Sequence, residues 1–221
     1  FRTREGKEAL VIVTSNKGLV GGLWHKIVEE TLNIRKNYDY FFCLGSKGVQ
    51  YLEEEGVQIE RSFPLEEDII TLETASRITA CLLKEFEDRP LSRIDIIYPH
   101  FASFFSQKAL LLTFLPFSFL PEFLTQDEEV VLGFPLFEPK PKEIFRFLSQ
   151  KYFEMFFYQI LIEAKLSEFT ARTIFLENAS FRGESFLKKL RMNYFKQRKK
   201  EISQAQIESF TVHQLKPKHE T

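Results

Sequence analysis

Gly18-Leu19-Val20-Gly21-Gly22 follows the β-branched run Ala9–Thr14 and precedes the helically spaced Leu23–Lys36. Loops in that position cradle phosphates on a helix N-terminus. The spacing here is not GxGxxG, and no Gly-Lys-Ser/Thr ending supplies a lysine for phosphate and a hydroxyl for magnesium. Close backbone packing at a strand-to-helix turn is therefore favoured over a nucleotide site. Gly45-Ser46-Lys47-Gly48 reads as a plain turn that stops the next strand. His25, His100, His213 and His219 show no HxxH or HxxxH spacing and no cysteine companions, so no metal is expected. No Ser/His/Asp grouping stands out, and Glu53, Glu54 and Glu55 read as a solvated helix face. The expectation is no catalytic residue, no cofactor and no metal.

The chemistry that remains is charge. Lys+Arg (30) and Asp+Glu (31) nearly cancel, so net charge alone points to neither nucleic acid nor a membrane surface. Yet Lys188, Lys189, Arg191, Lys196, Arg198, Lys199 and Lys200 cluster late in the chain. The cluster has three readings: a solvated face, a phosphate-backbone site, or a surface for a partner with acidic loops. No aromatic stacking platform accompanies it, and Glu201 and Glu208 interrupt it, which favours the acidic protein partner. No apolar run reaches ~18 residues, so no helix is expected to cross a membrane. Cys43, in an apolar strand-like run, and Cys81, on a helical pattern, read as reduced, buried thiols of an intracellular protein.

These residues need elements to hold them. Over residues 7–115 strand and helix signals alternate. Ala9–Thr14, Asp39–Leu44, Val57–Ser62, Ile94–Tyr98 and Gln107–Leu115 read as strands. Leu23–Lys36, Val49–Glu55 and Ile70–Glu87 read as helices, the second closed by Gly56. The fold class expected is α/β: a Rossmann-like, mostly parallel sheet with flanking helices, plus a long C-terminal coiled-coil helix. Residues 116–141 hold Pro116, Pro121, Pro135, Pro139 and Pro141 and read as an irregular linker rich in proline and phenylalanine.

From Pro141 to Pro217 there is no further proline and one glycine, Gly183. A helix filling that interval is on the order of 100 Å long, more than a compact globule of this size can enclose. The shaft helix is expected over residues 142–210, with a polar tail at 211–221. Phe145, Leu148, Tyr152, Met155, Gln159, Ile162, Leu166, Phe169, Thr173 and Leu176 follow alternating steps of three and four, a heptad seam with two polar breaks. Phe153, Phe156, Phe157, Ile160, Leu161 and Ile174 form a second apolar set on other faces. The proximal half should then lie between the α/β domain and a partner helix. Beyond Leu176 the seam thins to Leu187, Leu190 and Tyr194.

Four segments resemble the gamma subunit, the central-stalk rotor, of F-type ATP synthases. Val13-Thr14-Ser15-Asn16-Lys17-Gly18-Leu19-Val20-Gly21-Gly22-Leu23 is similar to the family's I-T-S-D-R-G-L-C-G-G-hydrophobic signature. Gly45-Ser46-Lys47-Gly48 is similar to its G-R-K-G, and Phe137-Glu138-Pro139-Lys140-Pro141 to its Y-E-P-D/S-P. Glu163 through Glu168, with Ala171-Arg172, is similar to its E-x-x-x-S-E-x-x-A-R. Beyond these four, farther along the chain, Tyr194, Lys196, Arg198, Ile202, Ser203 and Gln204 fall on its Y-N-K-A-R-Q-A-x-I-T-Q pattern.

The resemblance implies an α/β domain between two long helices wound as an antiparallel coiled coil, with the N-terminal helix upstream of this chain's first strand. The chain starts at Phe1, so a fragment is expected. It also implies partners: the alpha/beta catalytic hexamer, the epsilon subunit and the membrane c-ring, with no nucleic acid and no direct membrane insertion. Rotation of this non-catalytic subunit would couple proton or sodium flow to conformational change in the hexamer. Arg198 lies where the family's shaft arginine reaches acidic loops of the catalytic subunits, with Lys199, Lys196 and Tyr194 beside it. Phe137 and Glu138 fall in the region facing the ring. The implied location is peripheral, on the cytoplasmic face of a bacterial inner membrane. Departures from the pattern are Phe195 for the family's asparagine, Lys199 for its glutamine, Ala205 for its glutamate, and a bulky, polar tip from Ser209 onward. An adaptor role outside the ATPase and a nucleotide-binding α/β domain are the alternatives.

Overall fold

The computed structural model describes residues 6–65, 69–116 and 138–214. Among them, β1 (Lys7–Val13), β2 (Tyr40–Leu44), β3 (Arg61–Phe63), β4 (Leu91–Ser103) and β5 (Ser106–Leu115) form one sheet in the order β3-β2-β1-β4-β5. β1 runs parallel to β2 and β4, with Val11 opposite both Phe42 and Ile96, and β3 runs parallel to β2. β5 folds back antiparallel on β4. Residues Ala9–Val13 are buried on both sides, which is why this central strand is a continuous apolar run rather than an alternating one.

Helices α1 (Leu23–Ile34), α2 (Ser46–Glu54) and α3 (Leu72–Asp88) cover the sheet, together with the part of α4 (Pro141–Gln214) that runs to Ala171. Side chains alternate along a strand, so β1 serves two cores at once. Ala9, Val11 and Val13 pack with Ile78, Leu82 and Phe86 of α3 and with Phe153, Phe157, Ile160 and Leu161 of α4. Leu10 and Ile12 pack on the opposite face with Leu23, Trp24 and Ile27 of α1 and Leu52 of α2. Thr71 caps α3, its hydroxyl accepting from the Thr74 N–H at 3.2 Å.

Several local expectations change. Ser46, Lys47 and Gly48 open α2 rather than forming a turn. Gly45 alone makes the corner, at φ +87°. A Cβ on Gly48 would lie 2.4 Å from the Thr14 hydroxyl oxygen and 2.8 Å from the Cys43 sulfur, so the close packing expected at Gly18–Gly22 sits here instead. At Gly18 and Gly22 a Cβ would meet nothing within 4 Å. Cys43 is buried and free, but free Cys81 is only partly buried and accepts from the Arg61 guanidinium at 2.8 Å.

The chain divides into two compact units between Ile174 and Phe175, inside α4 rather than at the proline-rich segment. The physical reason is the buried stripe of α4 up to Ala171, which belongs to the two cores of the first unit. The helix also takes in residues 211–214, assigned to a tail on sequence, while residues 117–137 of the expected linker lie outside the described residues. The second unit is the remainder of α4, exposed along its described side chains from Phe175 to Thr211.

Candidate functional site

The loop after β1 and the start of α2 are knitted together by short polar side chains. The Thr14 hydroxyl donates to the Leu44 carbonyl and accepts the Gly48 N–H at 3.0 Å. The Asn16 side chain accepts from the Ser46 N–H at 2.7 Å and donates to the Leu65 carbonyl at 3.0 Å. Trp24 donates its indole N–H to the Lys17 carbonyl at 3.0 Å. These bonds hold Ser15 facing α4.

There it meets a buried ion cluster. The Ser15 hydroxyl donates to Glu168 Oε1 at 2.8 Å. Arg172 Nη2 reaches the same oxygen at 2.5 Å, and Lys165 Nζ reaches Oε2 at 3.0 Å. Arg172 Nε also donates to the Gly18 carbonyl at 3.3 Å. Glu168 is 1% exposed, so removing either cation would leave a buried carboxylate less compensated. Next to it, the Ser167 hydroxyl donates to the Pro99 carbonyl of β4 at 2.8 Å. Glu163 accepts from the Tyr98 hydroxyl at 3.0 Å and the Phe101 N–H at 3.3 Å, and lies against His100 Nδ1. Burial and the bond to Glu163 push the Tyr98 phenol well above its ordinary range.

Lower on α4, Glu154 accepts from Lys151 at 2.6 Å and from Gln150 at 3.2 Å. The Lys151 hydrogen bond, against the opposing effect of burial, holds its carboxyl below the ordinary range. The two glycine motifs and the Glu163–Arg172 run, far apart in sequence, thus meet in one polar joint. In the sequence the glycine motifs read as close packing and a turn, Glu163–Arg172 carried only a resemblance, and Glu154 was not singled out. Their signal was position: Glu154, Ser167 and Glu168 fall on the same helical stripe as Phe157, Leu161 and Ala164.

The seam residues lie on the outer side of α4. Phe145, Leu148, Tyr152, Met155, Ile162, Leu166 and Phe169 are all exposed in the first unit, while Phe153, Phe157, Ile160 and Leu161 are buried against the sheet. A helix apolar on two sides thus fills one side and leaves the other open. Phe114 of β5 anchors the inner side, its ring 5.4 Å from Phe153 and 5.8 Å from Phe157. In the second unit Leu176, Tyr194, Lys196, Arg198 and Lys199 are exposed. No ion pair among the described residues engages those three cations. Glu138 is exposed; Phe137 lies outside the described residues.

An open, mostly parallel sheet fastened through a polar joint to a helix with an apolar outer side defines an α/β protein with a long C-terminal helix. The chain belongs to the ATP synthase gamma-chain family: the family model described as ATP synthase matches residues 1–208. It is 27% identical over 218 residues to the ATP synthase gamma chain of Caldanaerobacter subterraneus subsp. tengcongensis, covering 94% of this chain and 73% of the relative. The gamma chain of Halothermothrix orenii is 27% identical over 206 residues, covering 92% and 71%. The fold is similar to a chain of the Euglena gracilis mitochondrial ATP synthase OSCP/F1/c-ring structure, with TM-score 0.70 and 17% identity over 95% of this chain and 72% of that one. A chain of the Tetrahymena thermophila central stalk and c-ring structure gives TM-score 0.63 and 22% identity, over 79% and 77%.

Proposed function

We propose that this chain is the central-stalk rotor subunit of an F-type ATP synthase, a non-catalytic part of the motor. The match of residues 1–208 to the family model carries the reading. Proton or sodium flow turns the c-ring, the α/β body turns with it, and the shaft turns inside the alpha/beta hexamer. An asymmetric shaft makes different contacts at each angle and so biases each catalytic site among its conformations. The exposed seam on α4 is the face that pairs with an N-terminal helix of the same subunit. Arg198, with Lys199, Lys196 and Tyr194, meets acidic loops of the hexamer, and Phe137 and Glu138 face the ring. The epsilon subunit is a further partner. No helix among the described residues is long and apolar enough to cross a membrane. The location that follows from the rotor reading is peripheral, on the cytoplasmic face of a bacterial inner membrane, in keeping with bacterial relatives such as the Caldanaerobacter subterraneus gamma chain.

In the assembled complex, Arg198→Ala should lower ATP hydrolysis by up to about tenfold, the scale of one charged contact of ~1.4 kcal/mol. The α/β body should melt unchanged, since Arg198 is exposed. Unaltered turnover would contradict the assigned contact.

A further inference from the structure

We propose that Glu168 is the positioning residue that fixes the rotational setting of α4 on the sheet, so that torque passes between the α/β body and the shaft without slip. The inference rests on the rotor reading above. Hydrophobic attraction is non-directional: Phe153, Phe157, Ile160 and Leu161 resist lifting α4 off the sheet more than they resist turning it. Direction comes from the polar ties, and these concentrate where the buried stripe passes from one core to the other, between Ala164 and Ala171.

Glu168 is the hub of that stretch. Its Oε1 takes Ser15 and Arg172, and its Oε2 takes Lys165. Lys165 and Arg172 stand one turn either side on the same helix and hold the carboxylate toward Ser15. Arg172 is in turn bonded to the Gly18 carbonyl and Ser167 to the Pro99 carbonyl, so the helix is tied to the loop after β1 and to β4 within about one turn. Rotation of α4 about its axis breaks the ties to Ser15, Gly18 and Pro99 together, while the pairs of Glu168 with Lys165 and Arg172 lie within α4 and turn with it. A buried ion cluster is a weak source of net stability, because desolvation offsets the attraction. What it supplies is orientation.

The test uses the complete ATP synthase containing this chain, reconstituted in vesicles, and reads ions carried per ATP hydrolysed. Glu168→Gln should lower that ratio at least about threefold, and Ser15→Ala should lower it measurably in complexes that still assemble, with only a small fall in the thermal midpoint of the α/β body from the lost bonds to Glu168 and the Lys17 N–H. Ser15→Ala removes one donor and leaves both ion pairs, so it answers the question even where Glu168→Gln fails to assemble. A lower midpoint with an unchanged ratio per assembled complex would show a merely structural joint and overturn the proposal. So would an unchanged ratio in Ser15→Ala. Failure of the unaltered chain to assemble with the hexamer would instead overturn the rotor reading, which separates the two.

Discussion

Glu154 carries a charge into the apolar stripe of α4, where it is 2% exposed and bonded to Lys151 and Gln150. Its carboxyl is held below the ordinary range by the Lys151 hydrogen bond first, with Gln150 and Ser76 of α3 also lowering it. A depressed carboxyl stabilises the fold above its unfolded pKa, and the contribution disappears as pH falls through the folded value. The thermal midpoint should therefore drop as pH falls below the unfolded carboxyl value of about 4.3, and Glu154→Gln should flatten part of that drop. An identical pH profile in the variant, followed by circular dichroism, would show that Glu154 has no share in it. At this scale the sequence was least readable. Ser167 and Glu168 look like ordinary helix-surface residues until β4 and the loop after β1 that receive them are known, and Glu154 until α3 is known to lie against it. Cys81 departs from the buried thiol expected of it in the same way: it is only partly buried and accepts from Arg61, a residue distant in sequence.

At the scale of elements, α4 was the most legible part. Steps of three and four separate Met155, Ile162 and Leu166 from Phe153, Phe157 and Leu161, and those two sets are the exposed and buried sides. What periodicity did not say was which set faces the sheet, because both are apolar. Strand ends were less exact: β4 continues through Pro99 to Ser103, since its pairing with β5 extends past the apolar run. An exposed apolar stripe seeks cover at roughly 25 cal/mol per Å2 of buried surface. These 221 residues alone should self-associate through it. Met155→Glu with Ile162→Glu should return the chain to a monomer without lowering its thermal midpoint, because both side chains are about half exposed. Sedimentation equilibrium decides the matter; a monomeric unaltered chain would contradict a sticky seam.

For the whole molecule, alternating strands and crossover helices made the parallel α/β sheet readable, and the antiparallel turn-back of β5 was not. The polar joint brings together motifs more than a hundred residues apart, a contact that local pattern alone does not reveal. Body and shaft have one joint purpose only if the subunit turns as a unit inside its partners. The most direct test fixes the hexamer of the assembled complex to a surface and attaches a bead to the exposed hairpin of the body through Ser103→Cys. On adding ATP the bead should rotate continuously in one direction. A complex that contains this chain and hydrolyses ATP while the bead stays still would contradict the account.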